Sequence, residues 1–427
     1  MRPVQTAPIR NAVIRVPGSK SYSHRMVIAA ALAAGTSHIE NILKSEDLEH
    51  TLSALETLGA AISAQGRATT ITGMDRNGRI LLNPSPPPIY IGNSGTTMRL
   101  MTAVAALGEG TCRLHGTDRM HERPIGELLD ALRQLSVGAV SVNNNGCPPV
   151  EITGPLTRGG IVNLDCSVSS QYLSALLLIA PCLKTGLEIN ITGSLVSRPY
   201  VEMTIDVMNR FGVEVHRKGD GYFRVPGNQT YHPGSYTVEP DCSQAGYFWA
   251  AGAITGVPVT VSGISTHTRQ GDVGFVQVLK SMGCIVRDTP DGITVHRDAN
   301  RRLAAISVDM QDMPDLVPTL SVVAAFARGK TVIKNVAHLA AKESDRLAAV
   351  ESELTKMGIS AKRTKDGIAI TGGTPHGADI ETYDDHRIAM SFAIAGLFVP
   401  GIRIADPACV EKSFPEFWEV LEDLYDQ

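Results

Sequence analysis

Seven cations sit beside the starts of helix-like segments in a chain whose formal net charge is -4: Lys20, Arg25, Arg123, Lys342, Arg346, Arg387 and Lys412. A helix start already favours an anion, because its first N–H groups are unsatisfied and the macrodipole is positive there. Arginine adds a planar fork that grips carboxylate or phosphate with two hydrogen bonds. Such a set predicts small substrates carrying several negative charges. Polar groups occupy the same places. PGSKSYSHR (17–25) carries Ser21 and Ser23 as cap-type residues, with Arg25 on the first turn. GNSGTTMR (92–99) is a glycine-rich turn whose backbone, around Gly95, can approach an anion closely. SVSSQ (167–171) brings Ser169, Ser170 and Gln171 to a third start, and Pro124 of ERP (122–124) is expected on the first turn of a fourth.

Two carboxylates supply candidates for acid–base work. Asp315, in MPD (313–315), opens an apolar helix-like segment, and Glu343 lies in KESDR (342–346). A proton donor and a proton acceptor in one site need opposite protonation states, which different surroundings supply. Read as a helical turn, KESDR puts Lys342 and Arg346 four apart on one face, with Glu343 pointing elsewhere. Each run alone also fits an ordinary cap or a solvated charged turn. Together, in a net-acidic chain, they favour a built anion site. GSKS is not a phosphate-binding P-loop, because no G-x-x-x-x-G frame precedes it.

Repeats must position these residues. One recurring piece is an amphipathic helix with three- and four-residue apolar steps. Its copies carry Leu48, Leu52, Leu55 and Leu58; Leu128, Leu132 and Leu135; Ile205, Met208 and Phe211; Phe275, Leu279 and Met282; Val350, Leu354 and Met357; and Phe417, Leu421 and Leu424. Glycines follow five of them (59, 138, 212, 283, 358), at intervals of 71 to 79 residues, and read as left-handed caps. A second helix alternates with the first. Its bodies, such as LMTAVAALG and YLSALLLIA, are apolar nearly all round and so should be buried. The site-like residues gather at its starts. The unit is thus strands plus one buried and one amphipathic helix, six times over. Six units of about 70 residues exceed one core and predict two domains of three units. YHPGSYTVEP (231–240), rich in Pro, Gly and polar residues, reads as the hinge.

Composition narrows the function. The 427 residues are 43% hydrophobic and 19% charged, which is ordinary for a globular chain. Acidic balance and 5% aromatic content argue against a nucleic-acid partner. Seven scattered cysteines with no C-x-x-C pair argue against a zinc site and a disulfide framework, and fit a reducing, cytoplasmic compartment. No apolar run approaches a membrane span, and the first ten residues show no signal-peptide core.

In order, PGSKSYSHR, GNSGTTMRL, ERPIG, SVSSQYLSALL, KESDRL, DDHRIAM and EKSFPEF resemble the enolpyruvyl transferase family, on its shikimate branch, over nearly the whole chain. The resemblance implies an α/β fold of two similar domains, 1–18 with 236–427 and 19–235, each of three β-α-β-α-β-β units, with the active site in the cleft between them. It implies a transferase that moves enolpyruvyl from phosphoenolpyruvate to the 5-hydroxyl of shikimate 3-phosphate, through a tetrahedral intermediate, without metal or organic cofactor. That step belongs to chorismate and aromatic amino acid biosynthesis. Carried over by motif, Lys20, Ser21, Arg25, Ser169, Ser170, Gln171, Ser197, Asp315, His338 and Lys342 hold shikimate 3-phosphate. Lys20, Gly95, Arg123, Gln171, Arg346, Arg387 and Lys412 hold phosphoenolpyruvate. Asp315 is the implied base and Glu343 the acid, with Lys342 sharing the hydroxyl proton and Lys20 stabilising the phosphoenolpyruvate side. His338 and Asp384 stand where relatives often carry asparagine, and Leu100 where many carry proline. Glyphosate competes at this family's phosphoenolpyruvate site, and a monomer is expected. The sister branch, which uses UDP-N-acetylglucosamine, is disfavoured: it has asparagine where Ser21 follows Lys20 and a cysteine on a mobile loop, whereas Cys112 lies in a β-like run. A non-catalytic repeat scaffold is the alternative of another class.

Overall fold

The computed structural model describes residues 1–65, 68–76 and 78–425. They form two compact units, one of residues 18–238 and one joining 1–17 to 239–427.

The 18–238 unit contains three four-stranded sheets with one shared plan. In the sheet Ile161–Leu164, Gly186–Ile191, Tyr222–Pro226, His216–Lys218, the first two strands run parallel and the rest antiparallel. A buried helix, Gln171–Ile179, makes the parallel crossover, and an amphipathic helix, Arg198–Arg210, leads to the hairpin. The same order recurs with the helices Gly95–Ala105 and Gly126–Gln134, and with Lys20–Ala31 and Glu46–Leu58. Every residue from Tyr172 to Ile179 is buried, as an all-round apolar sequence demands. Each fully buried Leu or Ile there contributes about 1.5–3 kcal/mol of transfer free energy.

The unit of 1–17 and 239–427 repeats the plan with buried helices Cys242–Thr255, Val317–Ala325 and His386–Gly396. Its amphipathic helices are Phe275–Ser281, Arg346–Lys356 and Phe417–Glu422. Its last sheet is reduced to three short strands, Arg2–Pro3, Arg403–Ile404 and Asp379–Ile380.

Two strands come from far along the chain. Ser235–Thr237, within the segment read as a hinge, lies parallel to Thr36–Glu40 and completes a sheet of the 18–238 unit. Ala12–Ile14 lies parallel to Val259–Ser262 and completes one in the other unit. Repetition reaches the outer sheet faces: Thr36–Thr72, Thr111–Thr153 and Thr260–Thr294 are cross-strand hydroxyl pairs at equivalent places, 3.0, 2.9 and 2.7 Å apart.

The glycine caps hold with one exception. Gly59, Gly212, Gly283 and Gly358 have φ of 116°, 82°, 99° and 79°, the left-handed turn that ends a helix without steric cost. Gly138 does not cap. Ser136 takes the left-handed turn at φ 65°, and Gly138 opens the strand Gly138–Ser141. There a Cβ would stand 3.1 Å from the Thr153 side chain, so the glycine serves strand pairing instead.

Candidate active site

In the 18–238 unit, most of the predicted residues lie at the starts of its three buried helices, while Arg123 and Ser197 precede its amphipathic helices Gly126–Gln134 and Arg198–Arg210. Ser19, not Ser21 or Ser23, is the N-cap of the first, whose opening residue is Lys20. Ser21 and Ser23 fall inside the helix, and Ser23 Oγ accepts from the Leu43 amide at 3.0 Å. Lys20 Nζ donates to Asp47 Oδ2 at 2.9 Å. Arg25 is 1% exposed, not solvated. Its Nε donates to Thr204 Oγ1 at 2.7 Å and its Nη1 to the Ser21 carbonyl at 2.8 Å. Burial lowers its pKa to about 10, which leaves it charged near neutrality.

At the third helix, Ser170 is the N-cap but makes no side-chain cap bond; its Oγ donates to the Ser197 carbonyl at 3.3 Å. Ser197 sits in the left-handed region at φ 53°, a strained place for a non-glycine residue. Ser169 Oγ accepts from the Gln171 amide at 3.2 Å. Gln171 spans to the second helix: its Nε2 donates to Thr96 Oγ1 and its Oε1 accepts from Arg99 Nη1, both at 3.0 Å. Arg123 is buried beside the glycine turn, donating to the Asn93 carbonyl at 2.8 Å. A Cβ on Gly95 would stand 2.3 Å from Arg123 Nη2 and 2.6 Å from Arg99 Nη1, so only glycine leaves both guanidiniums in place. Pro124 is not on a first turn. The helix begins at Gly126, and Arg123, preceding a proline, is held extended at φ -86°, ψ 123°.

In the other unit, one guanidinium collects three carboxylates. Arg346, 1% exposed, donates to Asp315 Oδ1 at 2.9 Å, Glu343 Oε2 at 2.8 Å and Asp385 Oδ2 at 2.8 Å. Arg387 Nη2 donates to the other oxygen of Asp315 at 2.7 Å. Burial pushes the Asp315 carboxyl up, but Arg387, Arg346 and Lys342 outweigh it and hold the group well below the usual carboxylate range. Burial likewise opposes the charge of Arg346, and Asp385, Glu343 and Asp315 more than restore it. KESDR is not a helical turn. Lys342 is extended at φ -88°, ψ -156°, Asp345 is an N-cap accepting from the Ala348 amide, and the helix starts at Arg346. Glu343 therefore turns onto Arg346 instead of away from it.

His338 lies on the short helix Ala337–Ala341, with its pKa pushed down to about 4 by burial and the Lys342 charge. It is neutral near pH 7, and its buried Nε2 has no hydrogen-bond partner among the described residues. Lys412 ends the short helix Pro407–Lys412 and is buried. Asp384 has φ 53°, a left-handed conformation that aspartate and asparagine both tolerate.

Three further residues pack against the predicted ones and carry little signal in the sequence. Arg99 lies four after Gly95, one turn along the same helical face, and that spacing was the available signal. Asp385 sits in DDHRIAM, and only the fold reveals that it is the carboxylate beneath Arg346. Asp47 reads in sequence as one of several acids at a helix start.

Acid should unfold the 18–238 unit partly through His24. Burial lowers its pKa to about 3 from an ordinary 6.5, so the unfolded chain takes up the proton first. Its contribution to stability is complete above pH 6.5 and is lost as pH falls towards 3. Between pH 6.5 and 4 the loss is about 3 kcal/mol. Urea midpoints measured across that range should fall more steeply for wild type than for His24→Gln; equal slopes would remove His24 from the account.

A family model described as EPSP synthase (3-phosphoshikimate 1-carboxyvinyltransferase) matches residues 5–421. The chain belongs to the EPSP synthase family. The 3-phosphoshikimate 1-carboxyvinyltransferase of Colwellia psychrerythraea is 43% identical over 419 residues, 97% of either chain. That of Nitrosomonas europaea is 42% identical over 414 residues, 95% of this chain and 94% of the relative. EPSP synthase from Acinetobacter baumannii has the same fold, with a TM-score of 0.81 at 30% identity over 99% of this chain and 98% of that one. The two-domain α/β architecture is thus the EPSP synthase one. Cys112 lies in the strand Gly110–His115, its thiol pushed up to about 11 by burial, unlike a reactive cysteine on a loop. Among the described residues no helix is long and apolar enough to cross a membrane.

Proposed function

We propose that this chain transfers the enolpyruvyl group of phosphoenolpyruvate to the 5-hydroxyl of shikimate 3-phosphate, releasing phosphate. The observation that carries the reading is the joint hold of Arg346 on Asp315 and Glu343, at 2.9 and 2.8 Å. It supplies two carboxylates and an anion-binding guanidinium in one place. The hydroxyl oxygen adds to C2 of phosphoenolpyruvate while C3 takes a proton, giving a methyl group on a tetrahedral carbon. Loss of a methyl proton then expels phosphate and restores the methylene. Glu343 gives and takes back the C3 proton. Asp315, kept ionised by two guanidiniums, orients the hydroxyl and accepts its proton, with Lys342 sharing it. Phosphoenolpyruvate bound to Arg346 and Arg387 draws positive charge away from Asp315, so its basicity rises when the substrate is present.

Lys20, Gly95, Arg123, Gln171, Arg346, Arg387 and Lys412 take phosphoenolpyruvate in this reading, and their fixed charges stabilise the anionic intermediate. Ser21, Arg25, Ser169, Ser170, Gln171, Ser197 and neutral His338 join Lys20, Asp315 and Lys342 at shikimate 3-phosphate. The reading further takes the enzyme as a cytoplasmic monomer, with glyphosate competing for the phosphoenolpyruvate residues. The test is phosphate release by purified protein. Release that requires both substrates supports it; activity with UDP-N-acetylglucosamine in place of shikimate 3-phosphate assigns the sister reaction, and silence with both removes the catalytic reading.

Gly95→Ala is expected to raise the KM for phosphoenolpyruvate by about tenfold, the weight of one hydrogen bond to a charged group, because its methyl displaces Arg123. Steady-state kinetics decide: an unchanged KM would mean that Arg123 yields without consequence.

A further inference from the structure

Lys20 is the first residue of a buried helix, where the macrodipole repels a cation. Even so, its side chain is only 13% exposed, and its ammonium faces a carboxylate, Asp47, whose side chain is 3% exposed. Asp47 lies on the first turn of Glu46–Leu58, at the helix end that favours a negative charge. Two other acids share that turn, Glu46 and Glu49, and both are exposed to solvent. Offsetting the dipole does not need a third, buried acid.

The backbone of Asp47 is tied in turn to the glycine-turn helix. Thr97 Oγ1 donates to the Asp47 carbonyl at 3.1 Å and lies 2.7 Å from the hydroxyl of Ser94, the N-cap beside Gly95. Thr51, one turn along from Asp47, is 2.7 Å from Thr97 Oγ1 and 2.8 Å from His24 Nδ1, and His24 is one turn along from Lys20. Hydroxyl groups thus lock three helices together around Asp47.

We propose that Asp47 is a positioning residue for the transferase reaction: it registers the Lys20 ammonium against the Gly95 turn and Arg123, so that the cation meets the substrate anion already placed. This rests on the enolpyruvyl transfer proposed above. Asp47 touches neither substrate; it acts through Lys20.

The test compares Asp47→Asn and Asp47→Glu with wild type in phosphate-release kinetics and thermal melting. Asparagine keeps the shape and removes the charge. The KM values for phosphoenolpyruvate and shikimate 3-phosphate should rise, with a combined loss of about 10- to 100-fold in kcat/KM for phosphoenolpyruvate and a smaller fall in kcat. Asp47→Glu should recover part of the loss. Damage to the fold alone would instead lower kcat, by reducing the fraction of active enzyme, and leave both KM values in place. That pattern, or an Asp47→Asn enzyme within twofold of an active wild type, overturns the proposal. Should Asp47→Asn fail to fold, Asp47→Glu decides by the same KM criterion. A wild type silent with both substrates sinks the transferase reading itself, and this inference with it.

Discussion

Glu343→Gln should lower kcat by about 10³-fold, within the range that a positioned proton donor contributes. The variant is informative because so little else changes. Glu343 is one of three carboxylates on Arg346, and a glutamine carbonyl can still accept from Arg346 Nη2, now 2.8 Å from Glu343 Oε2. The guanidinium also keeps Asp315 and Asp385. Folding and substrate capture should therefore survive, and the KM for phosphoenolpyruvate should move by less than about threefold, as expected when an interaction made only in the transition state is lost. The amide neither gives nor takes a proton at C3. In deuterium oxide, wild type should exchange the methyl hydrogens of the intermediate and return labelled phosphoenolpyruvate; the variant should not. A fall in kcat below tenfold would move the proton to another group, and Lys342, next in the chain, would be the first to try.

Helices and their starts are legible in the sequence for one physical reason. Apolar residues in three- and four-residue steps, and runs apolar all round, have few alternatives as structure, so all six buried helices lie where their composition placed them. Charged runs carry no such period. KESDR has no apolar residue to mark a face, so nothing in it shows that Asp345 caps and that the helix starts one residue later. Pro124 permits a first turn, but it also forces Arg123 to be extended, and the extended form won. Gly138 follows an apolar step as the other four glycines do; that Ser136 makes the turn instead depends on where the next strand pairs. Asp47 and Asp385 were out of reach for a different reason. Each meets a partner far away in sequence, Lys20 or Arg346, and an acid at a helix start looks the same whether it meets water or a buried cation.

Asp385 shows what such a hidden partner is worth. It is fully buried; one oxygen accepts from Arg346 Nε and Ser344 Oγ at 2.8 and 2.9 Å, the other from the Arg387 amide at 3.0 Å and from Arg346 Nη2 at 3.3 Å. Asp385→Ala removes a helix cap and a buried charge at once. The loss should be about 3–5 kcal/mol, which in a unit of this size lowers the melting temperature by on the order of 10 °C. Asp385→Asn separates the two effects. Its carbonyl can still cap the Arg387 amide, so stability should fall by only about 1–2 kcal/mol. Its amide, however, presents N–H groups to a guanidinium that has nothing but donors. Arg346 should swing off its place, and kcat/KM should drop by about 10²-fold or more, since arginine must hold its geometry to serve bidentate recognition. Calorimetry and kinetics on the same preparations check both numbers. If Asp385→Asn is within threefold of wild type in activity, Arg346 is held well enough by Asp315 and Glu343, and Asp385 is a cap and nothing more.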